Sequence, residues 1–212
     1  MRTKARALCI VAGLAIPWVA LVTASPAAAG RACTIRGTSG NDVLEGTAGS
    51  DVICAGAGDD VVRAGDGNDV IKAGDGRDLV HGERGDDRVF GGVGRDELYG
   101  DAGEDLVRGQ RGGDRLRGYL GSDRILGGKG RDNGFGGPGT DVLRGGPKDD
   151  DLKGGIEDDN VKGGPGGDVL IGWAGDDTLN GVDGVNGNDT LKGSGGTDTC
   201  VADPSDVLIH CE

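Results

Sequence analysis

The stretch Ala64-Gly65-Asp66-Gly67-Asn68-Asp69-Val70-Ile71-Lys72 contains the pattern that decides the fold of this chain. Outward from it in both directions, an aspartate recurs every nine residues, without a slip, from Asp42 to Asp177. Two further units, centred on Asp189 and Asp198, follow after the spacing lengthens by three residues. Because a fixed period is the signature of a repeat architecture, we predict one repeat array rather than a globular domain with an ordinary packed core.

Each nine-residue unit has fixed kinds of residue at fixed places. With the recurring aspartate counted as position six, position four is glycine in fourteen of the sixteen regular repeats. Position one is glycine or alanine, and position eight is a large aliphatic residue, such as Leu44 or Ile53, in fifteen. Glycine at position four permits the left-handed backbone of a tight turn. The aliphatic residue at position eight would point inward between outward neighbours at positions seven and nine, as expected for side chains that alternate along a strand. Gly134 stands at one position eight, where we expect a thin place in the core.

The units resemble a known family. The segments 64–72 and 136–144 are similar to the repeats-in-toxin (RTX, haemolysin-type) nonapeptide, written G-G-x-G-x-D-x-U-x with U a large aliphatic residue. The resemblance implies an all-β fold, a parallel β-roll or right-handed β-solenoid of about eighteen repeats with two repeats per coil. It also implies that the first six residues of each unit form a turn that binds Ca²⁺, that the last three form a short strand, and that each ion lies between turns stacked on the same edge.

The aspartate series is the predicted metal site. Calcium takes six to eight oxygen ligands, so backbone carbonyls together with one carboxylate from each of two neighbouring turns form a suitable shell. Lys148 and Glu157 replace the position-four glycine in two turns, where a side chain in left-handed geometry is costly, so Asp150 and Asp159 are expected to bind more weakly. Roughly ten Ca²⁺ ions are therefore expected. The expected metal ligands are Asp42, Asp51, Asp60, Asp69, Asp78, Asp87, Asp96, Asp105, Asp114, Asp123, Asp132, Asp141, Asp168, Asp177, Asp189 and Asp198, with Asp150 and Asp159 weaker.

The first 29 residues have the features of a secretory signal peptide. A basic start precedes an apolar run from Ala7 to Val22, and small residues at 27–29 form a plausible cleavage point. An uncleaved membrane anchor is the alternative, but the run is short for a spanning helix and is broken by Pro17. We therefore expect a secreted, extracellular protein without a membrane span in its mature form. The expected organisation is a signal peptide at 1–29, an N-terminal cap at 30–36, the calcium-binding roll at 37–201 with a three-residue insertion near 181–186, and a C-terminal cap at 202–212.

Four cysteines remain when the leader is removed, and an even number in an exported protein favours disulfides. Pairing Cys33 with Cys54 and Cys200 with Cys211 would clip both ends of the array. The sequence alone leaves all three connectivities open.

Charge and composition exclude several function classes. There are 36 acidic and 23 basic residues, a net charge of -13, which disfavours nucleic acid as a partner because its phosphates would be repelled. The histidines are His81 and His210, and the sequence has no H-E-x-x-H motif or nucleophile elbow. We therefore predict a non-enzymatic calcium-binding repeat protein.

Basic residues concentrate at positions seven and nine, which point outward from the strands. Such a face either keeps the array soluble or holds an anionic cell-surface polysaccharide, which makes a calcium-dependent adhesin or extracellular-matrix component the alternative function. The basic residues are Arg88, Arg115 and Arg124 at position seven, and Arg63, Lys72, Arg108, Arg117, Arg144, Lys153, Lys162 and Lys192 at position nine. At position five, the odd-numbered repeats carry Arg77, Arg95 and Arg131, whereas the even-numbered repeats carry no arginine.

Overall fold

The structure, a computed structural model, describes residues 32–185 and 188–211. The predicted signal peptide and part of the predicted insertion near 181–186 lie outside these residues. Within them, every regular element is a β-strand, so the all-β prediction is confirmed. No helix in this part of the chain is long and apolar enough to cross a membrane.

In the described residues, twenty strands form two parallel sheets of ten strands each. Sheet 1 consists of β1 (Ile35–Arg36), β3 (Val52–Ala57), β5 (Val70–Asp75), β7 (Arg88–Val93), β9 (Leu106–Arg111), β11 (Arg124–Lys129), β13 (Val142–Arg144), β15 (Asn160–Lys162), β17 (Thr178–Asn180) and β19 (Thr199–Val201). Sheet 2 consists of β2 (Val43–Glu45), β4 (Val61–Asp66), β6 (Leu79–Arg84), β8 (Glu97–Ala102), β10 (Arg115–Leu120), β12 (Asn133–Pro138), β14 (Asp151–Ile156), β16 (Val169–Ala174), β18 (Thr190–Gly195) and β20 (Val207–Ile209).

Consecutive strands lie in opposite sheets, so two repeats complete one coil and the chain forms the predicted parallel β-roll. Each strand pairs in parallel with the strand two places along the chain, as in the pairing of Ile53 with Ile71. This offset of eighteen residues equals two periods of the sequence. Because equivalent positions are stacked on one another, each position of the repeat forms a row along the coil axis.

The core is a single row of aliphatic side chains from each sheet. The position-eight residues are fully buried through the centre of the roll, as at Ile71, Leu98 and Leu116. Position one also faces inward, and Ala55 and Ala64 are fully buried there. Since most repeats have glycine at position one, the two sheets are held apart mainly by one side chain per repeat.

Most strands are longer than the three residues that the family resemblance implies. In β5, for example, the pairing continues past position nine, and Gly74 and Asp75 at positions two and three still pair with the next coil. The position-two residue has a positive φ, 120° at Gly74 and 76° at Tyr119, so the backbone turns there while its hydrogen bonds continue. Each six-residue strand therefore includes half of what was expected to be turn.

The expected thin place at Gly134 is already filled by its neighbours. A Cβ built on Gly134 would lie 2.8 Å from Cδ2 of Leu152, and Ile125 and Leu143 approach it from the other sheet. Side chains one coil away and on the facing sheet extend into the space that the glycine leaves.

Disulfides connect residues near each end of the described array. Cys33 is bonded to Cys54 and Cys200 to Cys211, with Cα–Cα distances of 5.8 and 5.6 Å. Of the three connectivities open to the sequence, this is the one that closes two local loops. Leu208, in the last strand, is 50% exposed, so no further strand of the described residues covers the final coil.

Candidate metal centre

The position-six aspartates are hydrogen-bonded in ladders along both edges of the roll. Oδ1 of Asp60 accepts the backbone N–H of Asp42 at 2.8 Å, and Oδ1 of Asp78 accepts that of Asp60 at 2.9 Å. Across the lengthened unit the same bond joins Asp168 to Asp189, at 2.7 Å. The first edge contains Asp42, Asp60, Asp78, Asp96, Asp114, Asp132, Asp150, Asp168 and Asp189, and the second edge contains Asp51, Asp69, Asp87, Asp105, Asp123, Asp141, Asp159, Asp177 and Asp198.

The second carboxylate oxygen, Oδ2, is buried in most of these turns and has no hydrogen-bond partner among the described residues. An unpaired buried polar oxygen is costly, and a charged one is more so, unless a cation or a donor fills the site. The atoms concerned are Oδ2 of Asp60, Asp69, Asp78, Asp87, Asp96, Asp105, Asp114, Asp123, Asp132, Asp141, Asp150, Asp159, Asp168, Asp177 and Asp189. The series continues through Asp150 and Asp159, so the ladder geometry does not distinguish the two turns that were expected to bind weakly.

Asp42 and Asp51, at the amino end, have a different environment. Thr38 donates its backbone N–H and its hydroxyl to Oδ2 of Asp42, at 2.6 and 3.0 Å. Thr47 does the same for Oδ2 of Asp51, at 2.8 Å in both bonds. A position-two threonine therefore supplies the donors that are lacking in the later repeats. Sequence reasoning overlooked this, although threonine is at position two in both of the first two units.

Burial raises the pKa of the ladder aspartates from Asp60 to Asp189. The pKa of Asp60 is raised to about 6, that of Asp87 to about 7 and that of Asp159 to about 8, with desolvation as the largest cause in each case. The N–H bond from the neighbouring aspartate opposes the rise, and nearby carboxylates add to it. Removal from water thus disfavours the ionised form that a cation would stabilise.

The donors in these turns fit a hard cation. Among the described residues, no group of three or more His, Cys, Asp or Glu side chains is placed to hold a metal ion by itself, so backbone oxygens would have to complete any shell. At position four the backbones of stacked turns are in contact: a Cβ on Gly130 would overlap the carbonyl oxygen of Gly112. Carboxylate and carbonyl oxygens crowded together in this way are the ligands that Ca²⁺ prefers.

The two exceptions to glycine at position four keep the left-handed backbone. Lys148 has φ 94° and Glu157 has φ 80°, whereas Gly130 and Gly139 have φ 148° and 132°. The side chains are accommodated by this change in φ, at a cost of about 1–2 kcal/mol for a residue other than glycine. The turns therefore form, but their backbone differs from that of the other repeats.

Position five forms a second ladder, which sequence reasoning missed. Oδ1 of Asn41 accepts the N–H of Asp59 at 2.9 Å, and Oδ1 of Asp59 accepts the N–H of Arg77 at 2.8 Å. On the second edge, Oδ1 of Asp86 accepts the N–H of Glu104 at 3.0 Å. The signal was available in the sequence, because Asn and Asp recur at position five with gaps of eighteen residues.

The grooves along the two edges differ in charge at position five. Arg77 and Arg95 line the groove of the first edge, beside Asp78 and Asp96. The corresponding groove of the second edge is lined at position five by Asn68, Asp86, Glu104 and Ser122. The predicted asymmetry between the edges is thus a feature of the folded surface.

The stacked turns form a parallel β-roll with a row of buried carboxylate oxygens on each edge. These oxygens are suitable ligands for cations. A family model, the RTX calcium-binding nonapeptide repeat, matches residues 34–62, 63–98, 99–133, 135–168, 154–186 and 182–204. The chain therefore belongs to the RTX calcium-binding nonapeptide repeat family, and its repeats are calcium-binding repeats. No curated protein matches the chain.

Proposed function

We propose that the chain is a secreted, non-enzymatic protein that folds when several Ca²⁺ ions bind between its stacked turns. The observation that carries the proposal is the row of buried Oδ2 atoms without partners, from Asp60 to Asp189. The position-six aspartates are the proposed ligands, each shared between its own turn and the next turn on the same edge.

The free energy of calcium binding is large enough to determine whether the roll folds. If each site has a dissociation constant of about 0.1–1 mM, millimolar Ca²⁺ contributes about 0.4–1.4 kcal/mol per site. Roughly ten sites then contribute about 4–14 kcal/mol, which is the whole stability of a typical domain. Without the ions, buried carboxylates oppose folding, because each must lose its hydration or take up a proton.

Counting the bound ions tests the ligand assignment. We expect equilibrium dialysis of the mature chain to give roughly ten Ca²⁺ per molecule. The double variant Lys148→Gly, Glu157→Gly restores glycine at position four and should bind up to four more, whereas Thr140→Gly, an exposed and uncharged position-five control, should leave the number unchanged. One or two bound ions in the unaltered protein would contradict the assignment.

Secretion is proposed from the leader at residues 1–29. Export from a cytosol that is poor in calcium would let the chain fold after it reaches millimolar Ca²⁺. A tagged full chain should appear in the culture medium, shortened by about thirty residues by mass spectrometry, and a chain lacking residues 2–29 should stay in the cells. Equal amounts of both chains in the medium would contradict export through the leader.

The proposal that the protein is not an enzyme is supported by how its reactive side chains are engaged. His81 stacks on Tyr99, and its Nδ1 lies 3.0 Å from Oδ2 of Asp101 on the outer face of sheet 2. From Asp60 to Asp189, each ladder carboxylate accepts a backbone N–H through Oδ1, and the proposed ions take Oδ2.

A second candidate function is that of a calcium-dependent adhesin or matrix component that binds an anionic polysaccharide. The observation that favours it is the exposure of basic side chains along the strands, as at Lys72, Arg108 and Arg144. Because these side chains belong to the folded strands, binding through them would require calcium.

A further inference from the structure

The charged residues of the strands are divided unequally between the two sheets. The strands of sheet 1 carry nine basic residues and one acidic residue, Asp75, whereas the strands of sheet 2 carry six of each. The nine basic residues of sheet 1 are Arg36, Lys72, Arg88, Arg108, Arg111, Arg124, Lys129, Arg144 and Lys162. The strands of sheet 1 are thus mainly basic, although the whole chain has a net charge of -13. The charges of the molecule are therefore strongly separated in space.

These nine side chains are exposed, and within the described residues none of them has a carboxylate oxygen within 4.0 Å. Some basic residues of sheet 2, by contrast, contact a carboxylate or an aromatic ring. Lys153 Nζ lies 3.1 Å from Oδ2 of Asp151, and the guanidinium of Arg117 lies over the ring of Tyr99, 5.7 Å from its centroid. The outer face of sheet 1 therefore presents free cations, whereas the face of sheet 2 neutralises part of its own charge.

The cations of sheet 1 form a zigzag line along the coil axis, at position nine in β5, β9, β13 and β15 and at position seven in β7 and β11. Every strand of that sheet from β5 to β15 contributes at least one. Neighbouring strands of a sheet are about 4.8 Å apart, so the line offers a positive charge at each such step over six strands. A pyranose unit is about as long as one step, and a linear polymer of charged sugars can therefore follow the line in register.

We propose that the outer face of sheet 1 is the docking surface for a linear acidic polysaccharide, lying along the coil axis. The inference rests on the second candidate function and assigns it to one of the two faces. Arginine and lysine at positions nine, seven and three would pair with carboxylate or sulfate groups of successive sugars.

Two features favour a polysaccharide over a nucleic acid. Single-stranded nucleic acids bind through rows of exposed aromatic platforms, but the described strands of sheet 1 contain one aromatic side chain, the half-buried Phe90, whereas Tyr99, Tyr119, Phe135 and Trp173 lie on sheet 2. Double-stranded DNA carries about one charge per 1.7 Å, and the aspartate-rich edges on both sides of the face would repel it strongly. A sugar polymer with fewer charges is repelled less, and Ca²⁺ in the turns would reduce the repulsion further.

Matched variants of the two faces test the proposal. The sheet 1 variant carries Lys72→Gln, Arg108→Gln, Arg144→Gln and Lys162→Gln. The sheet 2 control carries Arg63→Gln, Arg84→Gln, Arg115→Gln and Lys192→Gln, which removes the same charge. Binding to immobilised chondroitin sulfate is measured in millimolar Ca²⁺, with neutral dextran and single-stranded DNA as comparison probes, and circular dichroism shows that both variants are folded.

We expect the unaltered protein to bind chondroitin sulfate in calcium and not in chelator, and to ignore dextran. The sheet 1 variant should bind about tenfold more weakly or worse, since exposed ion pairs each contribute modestly, and the control should stay within about twofold. Equal weakening in both variants overturns the assignment to sheet 1 but leaves the polysaccharide function standing. Absence of binding by the folded, unaltered protein overturns both, and tighter binding of single-stranded DNA through sheet 1 overturns the class of partner.

Discussion

A position-six aspartate acts through its two oxygens in different ways. Its Oδ1 accepts a backbone N–H from the preceding turn on the same edge, as Asp78 accepts the N–H of Asp60. In most turns its Oδ2 is buried and has no hydrogen-bond donor among the described residues. Replacement by asparagine keeps an oxygen for the N–H bond but removes the charge. Such variants therefore test cation binding separately from the formation of the turn.

The two edges should not be equivalent in calcium affinity. Arg77 and Arg95 lie in the groove beside Asp78 and Asp96, and a nearby cation opposes the binding of another, weakly when both are hydrated. We expect the triple variant Asp69→Asn, Asp87→Asn, Asp105→Asn on the second edge to shift the folding midpoint to higher calcium. The shift should exceed that of the matched triple variant Asp78→Asn, Asp96→Asn, Asp114→Asn on the first edge.

Circular dichroism during a calcium titration measures both shifts. Equal shifts, or a larger one for the first edge, would show that the arginines at position five do not tune the affinity. Replacing Arg77 and Arg95 with serine, a residue that the second edge has at this position, should reduce the difference.

Gly134 should not tolerate a larger residue, despite its place among aliphatic residues. A Cβ there meets Cδ2 of Leu152 at 2.8 Å, so Gly134→Val overpacks the core and should lower the free energy of unfolding by about 1–3 kcal/mol. Thermal unfolding in saturating calcium measures the effect. The added variant Leu152→Ala should recover part of the loss, and a more stable Gly134→Val protein would mean that the space is empty.

At the scale of the elements, the period of the sequence was sufficient to predict the inward row, and the resemblance to the RTX nonapeptide implied two repeats per coil and therefore two sheets. Ile71 and Leu98 face inward because position eight is the middle of a strand between two outward neighbours, and this follows from the pattern alone. The three extra residues of each strand were not predictable in this way, since they depend on hydrogen bonds made beyond a residue with positive φ, such as Gly74. The packing of Leu152 over Gly134 likewise depends on three-dimensional neighbours, whereas the bonds from Thr38 to Asp42 span only four residues and were accessible from the sequence.

The disulfides should matter most for the coils that they close. Cys33 and Cys54 are 21 residues apart, and Cys200 and Cys211 are 11 apart. In the chain-entropy model each loop of this size stabilises by about 3 kcal/mol, slightly more for the longer one. The variants Cys33→Ser, Cys54→Ser and Cys200→Ser, Cys211→Ser should both need more calcium to fold, the first pair slightly more.

Titrations of both double variants under non-reducing conditions check this expectation. A midpoint unchanged in either variant would show that the disulfide does not support the terminal coil. Mass spectrometry of a non-reduced digest of the unaltered protein should find these two links, and a link between Cys33 and Cys200 would contradict the local pairing.

For the whole molecule, protons should partly replace calcium. The pKa values of buried aspartates such as Asp87 and Asp159 are raised to about 7 and about 8 in the folded state, above the ordinary value of an unfolded chain. Protonation therefore favours the folded state, and this stabilisation is fully present at pH values near and below the ordinary aspartate pKa and is lost as the pH rises through about 6 to 8. In chelator, β signal should be greater at pH 5 than at pH 8, measured by circular dichroism at low protein concentration. A greater signal at pH 8 would contradict the burial of these carboxylates.

The most direct test of the account is a calcium titration of the mature chain at pH 7.5, followed by far-ultraviolet circular dichroism. The account predicts a largely disordered chain in chelator and a cooperative gain of β signal between about 0.1 and several millimolar Ca²⁺. Magnesium at the same concentrations should have no effect, because it demands a near-ideal octahedral shell that the crowded turn oxygens do not offer. The same β signal in chelator as in calcium would show that the aspartate ladders do not need the ion, and would contradict the central claim.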